Sequence, residues 1–219
     1  MFVIANWKLN LTTEEVKSWV ETFNIFSQTY SFNKVIPIIC PTFVHLPYLK
    51  SNLINAKIGS QEVSCFSEGA HTGEVSAKQL KDFVSYSIIG HSERRNQFGE
   101  TDEIVVEKAK LCVENNITPI ICVSTLDQVK PLKVSENILI AFEPLSAIGS
   151  GNPDSSKHIE NTAGGIINIV PTAKVLYGGS VLGENIESLS KLRNIAGFLV
   201  GTESLKAESF ITILKTCDT

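Results

Sequence analysis

The sequence predicts an α/β fold, a closed parallel (β/α)8 barrel that forms a single domain over residues 1–219. Eight short runs rich in Val, Ile and Leu divide the chain into units of about 27 residues, enough for one strand, one helix and short connections. These runs are continuously apolar, as parallel strands covered on both faces are. Helical patterns fill most of the intervals, and right-handed crossovers would stack those helices outside a closed sheet.

The eight predicted strands are Phe2–Asn6, Val35–Cys40, Ala56–Gln61, Ser87–Gly90, Pro119–Val123, Ile138–Phe142, Lys174–Tyr177 and Phe198–Val200. An open doubly wound sheet is the alternative arrangement of the same units. Such a sheet would more usually have fewer strands and a glycine-rich fingerprint after the first strand. The residues that follow the first run, Asn-Trp-Lys-Leu-Asn, are no such fingerprint, so the closed barrel is favoured.

Two intervals show clear helical periodicity. Thr12 or Thr13 can cap a helix whose apolar side includes Trp19, and a second helix is predicted from Asp102 to Asn115. The interval after the fifth run, residues 124–137, is too short for a full helix, so the fifth unit is predicted to be shortened. The interval before the seventh run contains Gly164-Gly165, and each glycine costs a helix interior about 1 kcal/mol relative to alanine.

Composition excludes several classes of function. With 43% apolar residues, 19% charged residues and a net charge of −4, the chain has an ordinary soluble composition and lacks the basic excess that nucleic acids and anionic membranes attract. No apolar run approaches the ~20 residues of a membrane helix. The first residues do not read as a signal peptide. Five cysteines, an odd number without metal-ligand spacing, favour a reducing cytoplasm.

In a barrel of this type, functional groups gather where strands run into their following loops. The polar residues and glycine turns at these predicted strand ends are Asn6, Lys8, Gly90, His91, Glu93, Glu143, Gly178, Gly179, Ser180, Gly201 and Thr202. The glycine turns after the late strands could aim backbone N–H groups at one point, which is how a phosphate dianion is held. The other histidines, His45, His71 and His158, lie away from strand ends and are predicted to be structural.

The chemistry of three of these side chains leaves alternatives open. A carboxylate directly after an apolar run is costly to bury unless it is used or paired, so Glu143 is either a general base or a salt-bridged glutamate on the rim. His91 precedes a predicted short helix, whose N-terminus disfavours a charged ring. It is either a neutral hydrogen-bond donor to a substrate or a structural histidine. Lys8 either offsets a developing oxyanion or is a surface lysine.

Six motifs, in order and with the expected spacing, resemble the triosephosphate isomerase family. They are Asn6–Lys8, Gly69–Glu74, Ile89–Arg95, Phe98–Asp102, Phe142–Gly151 and Tyr177–Val181. The resemblance runs from Phe2 to about Leu205. It implies a TIM barrel that acts as an aldose–ketose isomerase of glycolysis and gluconeogenesis. Its reaction is the interconversion of dihydroxyacetone phosphate and D-glyceraldehyde 3-phosphate through an enediolate, with no cofactor and no metal.

The resemblance also implies a role for each residue of the site. Glu143 would transfer the proton, uncharged His91 would polarise the carbonyl, Lys8 would offset the charge with Asn6 nearby, and Glu93 would support the site. The residues implied to bind the substrate and its phosphate are Asn6, Lys8, Gly149, Ser180, Gly201 and Thr202. The lid that closes over the substrate would be Pro144, Leu145, Ser146, Ala147, Ile148, Gly149, Ser150 and Gly151. Thr72 matches the tip of the loop that braces a second subunit, which implies a homo-oligomer, most simply a homodimer.

The chain departs from the family pattern around the lid. Phe142 stands where the family usually has Tyr, Ser146 where it has Trp, and Ser124-Thr125 where it has Gly-Glu. In the family those Tyr, Trp and Glu side chains hydrogen-bond one another, so we expect the lid to be latched differently here. Thr202 replaces the second glycine of the turn after the eighth strand, and its Cβ is expected to crowd the phosphate.

Two other functions compete with an active isomerase. Another sugar-phosphate barrel enzyme would share the late glycine turns but would not need Lys8, His91 and Glu93. An inactive barrel kept as a scaffold would have no reason to retain Asn6 and Glu143 together with those three residues. An enzyme assay separates the three possibilities.

Overall fold

The computed structural model describes residues 1–132, 138–144 and 153–219, and its sheet closes into a barrel. The strands are β1 (Phe2–Asn6), β2 (Ile36–Cys40), β3 (Lys57–Ser60), β4 (Tyr86–Ile89), β5 (Thr118–Val123), β6 (Leu139–Phe142), β7 (Lys174–Tyr177) and β8 (Gly197–Val200). All neighbours are parallel and follow chain order, and β1 pairs with both β2 and β8, which closes the ring. The predicted fold class is confirmed, and every predicted strand end lies within one residue of the observed end.

The α-helices of the described residues surround the barrel. They are α1 (Thr13–Thr29), α2 (Leu46–Asn52), α3 (Ala77–Leu80), α4 (Ser92–Phe98), α5 (Asp102–Glu114), α6 (Ser156–Ile169), α7 (Ile186–Leu189) and α8 (Ala207–Asp218). The cap of α1 is Thr12, whose backbone N–H donates to Glu15 Oε2 over 2.7 Å in a capping box. The predicted helix Asp102–Asn115 is observed as α5.

Apolar residues form two layers, as the continuously apolar strands require. Ten buried residues fill the inside of the barrel: Ile4, Ile38, Cys40, Ile88, Ile120, Cys122, Leu139, Ala141, Leu176 and Leu199. The outward-facing strand residues, such as Val3 and Ile39, pack under the apolar faces of the helices in a larger second cluster. Each strand is therefore buried on both faces, which is why its sequence does not alternate.

The fifth unit is short, and α6 compensates for it by close packing. Residues 124–132 form bends and turns. A β-carbon built on Gly165 would lie 2.9 Å from Leu126 Cδ1, so the glycine in the middle of α6 lets this turn pack directly on the helix. Gly165 therefore serves packing, and the helix continues through both glycines.

The N-terminal end of the barrel is closed by side chains. The rings of Phe2 and Tyr86 meet edge to face at 6.4 Å, and the ammonium of Lys174 lies 5.2 Å from the Phe2 ring centre. The carboxylate of Asp218, at the end of α8, accepts hydrogen bonds from the Tyr30 hydroxyl and from a row of backbone N–H groups. Those N–H groups belong to Asn33, Lys34 and Val35.

Two expectations from composition concern membranes and cysteines. No helix in the described part of the chain has both the length and the apolarity to cross a bilayer. All five cysteines lie in the described residues and are unpaired thiols, and Cys65 alone among them is partly accessible.

Candidate active site

A cavity of about 270 Å³ opens at the C-terminal end of the barrel. The described residues that line it are Asn6, Lys8, His91, Glu143, Gly178, Gly179, Ser180, Val181, Leu182, Leu199, Gly201, Thr202 and Glu203. Apart from Leu199, all of them lie at or beyond the ends of β1, β4, β6, β7 and β8. Because the strands all end on this side of the barrel, residues that are far apart in the chain lie in one cavity.

Glu143 follows β6 and is 2% exposed. Its backbone N–H donates to the carbonyl of Val123 over 2.8 Å, which extends the pairing of β5 and β6 by one residue. Its Oε2 accepts a long hydrogen bond of 3.4 Å from the backbone N–H of Ser92. A β-carbon on Gly178 would lie 2.9 Å from Glu143 Cγ, so this position must be glycine for the carboxylate to fit.

His91 lies at the start of α4 and faces Glu143. Its Nδ1 accepts a hydrogen bond of 3.2 Å from the backbone N–H of Glu93, and its Nε2 lies 3.2 Å from Glu143 Oε1. Because Nδ1 is an acceptor, this geometry fits a neutral ring with its proton on Nε2. Gly90 makes the turn into this position with φ +66°, and a β-carbon there would lie 2.8 Å from Val105.

The pKa of His91 reflects opposing effects. Burial lowers the pKa, but the charge of Glu143 and the hydrogen bond to it raise the pKa above its ordinary value of 6.5 overall. The effect of Glu143 on the His91 pKa is therefore larger than the effect of burial. The N-terminus of α4 is not needed to account for the direction of this pKa change. Movement of the Glu143 carboxylate away from the ring would remove the main cause of the increase.

Lys8 follows β1 in a left-handed backbone conformation with φ 51°. A non-glycine residue in this region costs about 1–2 kcal/mol and persists only where neighbours fix it. Asn6 Oδ1 accepts from the Lys8 N–H over 3.2 Å, and Gln61 Nε2 donates to the Lys8 carbonyl over 3.0 Å. The ammonium then reaches Glu93 Oε1 at 2.5 Å, on the far side of His91 from Glu143.

The predicted phosphate-binding residues in the described chain lie on two turns. Ser180 follows β7 and is buried, and its carbonyl accepts a hydrogen bond of 3.0 Å from Asn185 Nδ2. Gly201 and Thr202 follow β8, where a β-carbon on Gly201 would lie 3.7 Å from Lys8 Cε. The Gly201 turn and the side chain of Lys8 are therefore neighbours in the cavity, which Ser180 also lines. The predicted ligand Gly149 lies outside the described residues.

A 3-10 helix, Thr202–Leu205, fixes the turn after β8. The carbonyl of Ser204 accepts two indole N–H groups, from Trp7 over 3.1 Å and from Trp19 over 3.0 Å. Ser204 also donates its backbone N–H to the Gly201 carbonyl over 2.9 Å. Two side chains from the first quarter of the chain thus hold a turn near its end.

The loop between β3 and α3 carries Thr72 at an exposed turn. The base of this loop joins α4 through buried charges. Lys108 Nζ lies 2.6 Å from both Glu62 Oε1 and Glu100 Oε1, and the guanidinium of Arg94 contacts the same two carboxylates. Burial lowers the pKa of Lys108 although both carboxylates are close. Removal of one member would leave buried charges unpaired.

Only part of the predicted lid lies in the described chain. Phe142 and Pro144 are described, whereas the lid residues 145–151, including Ser146, lie outside the described residues. The Phe142 ring is buried and lies edge to face with His158 at 5.9 Å. The backbone N–H of Ser124 donates to Gln128 Oε1 over 2.7 Å. Phe142 has no hydroxyl to donate to the turn after β5, where Ser124 and Thr125 lie.

The histidines away from strand ends have ordinary partners. His45 Nε2 contacts the Leu11 carbonyl at 3.2 Å, and His71 stacks on Phe66 at 3.7 Å. His158 lies on α6 outside the cavity. The prediction that these residues are structural is consistent with these contacts.

Sequence reasoning missed three residues that build the site. One is Gln61, which donates a hydrogen bond to the Lys8 carbonyl. The other two, Leu182 and Glu203, line the cavity. Glu203 could have been found from its place after a strand end, since it is the next residue after the predicted phosphate-binding turn. The sequence also placed Gly178 in a predicted phosphate-binding turn. It did not indicate that the absence of a side chain at Gly178 makes room for Glu143. Nothing in the sequence indicated the hydrogen bonds of Gln61, which join the ends of two other strands.

Comparison with known proteins agrees with this geometry. The family model described as triosephosphate isomerase matches residues 1–217. A triosephosphate isomerase of Dehalococcoides mccartyi is 35% identical over 243 residues, covering 98% of this chain and 95% of that protein. Those of Mesomycoplasma hyorhinis (36% identical, 97% of this chain, 96% of that protein) and Thermus thermophilus (35%, 98% and 98%) are similarly related. Sequence, barrel and cavity therefore agree that the chain belongs to the triosephosphate isomerase family.

Proposed function

We propose that this chain, as an isomerase of that family, interconverts dihydroxyacetone phosphate and D-glyceraldehyde 3-phosphate. The observation that carries the proposal is the 3.2 Å approach of Glu143 Oε1 to His91 Nε2 on the wall of one cavity. A three-carbon substrate placed against this pair in the cavity can touch the carboxylate and the imidazole at the same time. Lys8 and the two glycine turns line the same cavity, where the oxyanion and the phosphate would lie.

Glu143 acts as the base. Its carboxylate takes a proton from C1 of dihydroxyacetone phosphate, and the C–H electron pair forms the C1–C2 double bond while the carbonyl pair moves to the C2 oxygen. The proton on the C1 oxygen then passes to the C2 oxygen through His91. Glu143 returns its proton to C2, the C1–C2 double-bond pair forms the new C–H bond, and the electron pair left on the C1 oxygen forms the aldehyde carbonyl. The long hydrogen bond from the Ser92 N–H holds the carboxylate weakly, so it can turn towards the substrate carbons.

His91 and Lys8 stabilise the oxygens of the intermediate. The Glu93 N–H fixes the imidazole with its proton on Nε2, and this proton can polarise the substrate carbonyl once Glu143 turns towards the substrate carbons. The ammonium of Lys8 offsets the negative charge that develops on that oxygen. Asn6 contributes by holding the backbone of Lys8, and Glu93 by pairing with the ammonium at 2.5 Å.

The phosphate is held by backbone N–H groups at Ser180, Gly201 and Thr202, together with Gly149. A dianion that receives several N–H groups is fixed without a metal. Closure of residues 144–151 excludes water and protects the enediolate from loss of phosphate. The proposed reaction uses acid–base groups of the chain alone, so it needs neither a cofactor nor a metal.

The lid is latched without the usual tyrosine, tryptophan and glutamate. Phe142 lacks the hydroxyl of that tyrosine, Ser146 stands at the position of the tryptophan, and Thr125 stands at the position of the glutamate. We therefore expect the balance of open and closed lid to differ from the family pattern. Stopped-flow or NMR exchange measurements that give family-typical closure rates would contradict this.

We also propose that the chain works as a homodimer in the cytoplasm. Large apolar side chains are exposed in the loops after β1, β2 and β3 and on α4: Leu9 (94%), Val44 (79%), Phe66 (45%) and Phe98 (65%). Exposed apolar residues on consecutive loops at one side of the barrel favour a protein interface. Thr72 lies on the same side. Light scattering should give twice the chain mass, and a monomer at micromolar concentration would contradict the dimer.

Five unpaired thiols fit a reducing compartment, which cell fractionation would test.

A coupled spectrophotometric assay on D-glyceraldehyde 3-phosphate tests the activity. Turnover that disappears in Glu143→Gln supports an active isomerase with the proposed base. No turnover by the parent chain on either triose phosphate would refute the proposal. An inactive scaffold or another sugar-phosphate enzyme would give that negative result while still binding inorganic phosphate.

A further inference from the structure

We propose that Glu203 is a specificity-determining residue that opposes the binding of phosphate dianions in the cavity. This inference deepens the proposed function, since it concerns the group by which the substrate would be held. It assigns to one carboxylate a role in setting substrate affinity. That role is separate from the proton transfer assigned to Glu143.

The charges around the cavity are poorly matched to a dianion. Among the described lining residues, Lys8 carries an ammonium, whereas Glu143 and Glu203 carry carboxylates. Glu93 Oε1 lies 2.5 Å from that ammonium and already offsets much of its charge. A dianion therefore enters a region with three carboxylates and one cation. The proposed chemistry uses two of these carboxylates and leaves Glu203 without a task.

Glu203 is placed directly beside the proposed phosphate cradle. It follows Gly201 and Thr202 in the first turn of the 3-10 helix, and all three line the cavity. Within residues 1–132, 138–144 and 153–219, no hydrogen bond or ion pair neutralises its carboxylate. The residue is half buried, so its side chain keeps partial access to water while it lines the cavity.

The backbone at Glu203 cannot withdraw from the cavity without breaking other contacts. The next residue, Ser204, is fully buried, and its carbonyl accepts the indole N–H groups of Trp7 and Trp19. Ser204 Oγ also donates to the Gly201 carbonyl over 2.6 Å. The turn is thus held on both sides of Glu203, so the backbone of this residue stays beside the proposed phosphate site.

The size of the effect follows from Coulomb's law. A unit charge roughly 6–8 Å from a dianion, in a dielectric close to that of water, changes binding by about threefold to tenfold at low ionic strength. The effect should shrink with added salt because the site is open to solvent. A hydrogen-bonding or purely structural role for Glu203 would not show this salt dependence.

A charge series at position 203 tests the proposal. The variants are Glu203→Gln and Glu203→Lys, with Glu208→Gln as the matched control, because Glu208 is exposed, lies outside the cavity and carries the same charge change. The KM for D-glyceraldehyde 3-phosphate and the calorimetric Kd for inorganic phosphate are measured at low and high salt. Circular dichroism establishes that each variant is folded.

We expect Glu203→Gln to lower both constants about threefold to tenfold at low salt, and Glu203→Lys to lower them further. The control Glu208→Gln should leave both unchanged. Unchanged or raised constants in the position 203 variants would overturn the proposal, as would an equal decrease in the control. If the parent chain has no isomerase activity, the proposed function fails, while the Kd for inorganic phosphate still decides the role of Glu203.

Discussion

The two ends of the barrel hold their carboxylates in opposite ways. At the N-terminal end, Asp218 accepts hydrogen bonds from three consecutive backbone N–H groups and one hydroxyl. At the C-terminal end, the more deeply buried Glu143 is held by a long hydrogen bond of 3.4 Å and a contact with His91. A buried acid that is fully satisfied stabilises the fold, whereas one that is weakly held is ready to move a proton. The difference separates the structural end of this barrel from the end that carries the proposed active site.

The largest expected effect is on turnover, at the end that carries the proposed active site. Glu143→Asp retracts the carboxylate by about 1 Å and should lower kcat about 10²-fold, because proton transfer depends on the distance to the substrate carbon. The coupled assay measures kcat, and thermal unfolding measures stability, which should change little. Glu143→Gln is the control that removes the base while leaving folding and ligand binding nearly intact. Undiminished turnover in the aspartate variant would exclude Glu143 as the base.

At the structural end, the effect should be on stability alone. Asp218→Ala leaves the N–H groups of Asn33, Lys34 and Val35 without their acceptor, and should lower the free energy of unfolding by about 1–3 kcal/mol. Urea denaturation measures the loss, and kcat should stay at the parent value. Asp82→Ala, at an exposed aspartate, is the matched control. A large loss of turnover in Asp218→Ala at full stability would contradict the separation of the two ends.

The pH dependence of this loss has a defined sign. Burial raises the pKa of Asp218, but hydrogen bonds from Lys34, Asn33, Tyr30 and Val35 lower it overall below its ordinary value of 3.8. The contribution to stability is therefore present above pH 3.8 and is lost as the pH falls through the lowered pKa. The difference between parent and Asp218→Ala should be largest near neutral pH and should shrink in acid.

A titration of His91 sharpens the comparison at the end that carries the proposed active site. The raised pKa of this ring depends on the charge of Glu143, so Glu143→Gln should lower the pKa, as measured by NMR. A histidine whose folded pKa is raised stabilises the fold below its unfolded pKa. That contribution is lost as the pH rises through the folded value. The stability of the parent relative to Glu143→Gln should therefore decline with rising pH across this range. An unchanged pKa in the variant would show that the two groups are not coupled.

The smallest expected effect is at the phosphate turn. Thr202→Gly removes a β-carbon from the turn but keeps its backbone N–H, so KM should fall slightly or stay the same. Steady-state kinetics on D-glyceraldehyde 3-phosphate measure it. A large rise in KM would instead identify the threonine side chain as a phosphate ligand.

The prediction of the fold depended on information that is local in the chain. Continuous apolar runs such as Val35–Cys40 appear as strands within one residue of their predicted ends, because burial on both faces requires that composition. Thr12 and Thr101 cap the helices that the pattern predicted. The shortened fifth unit could be predicted from the interval of chain between two strands. The packing of Leu126 on Gly165 could not, because it joins two separate units.

The sequence by itself determined that Glu143 and His91 would face one cavity, because parallel strands in a closed barrel end on the same side whatever their spacing in the chain. Only the tertiary structure decided how the site is held. Gln61 fixes the carbonyl of Lys8, and two indoles from the start of the chain fix a carbonyl 185 and 197 residues away. Hydrogen bonds of this kind require distances of about 3 Å between atoms that barrel closure alone brings together, and no pattern within the sequence specifies them.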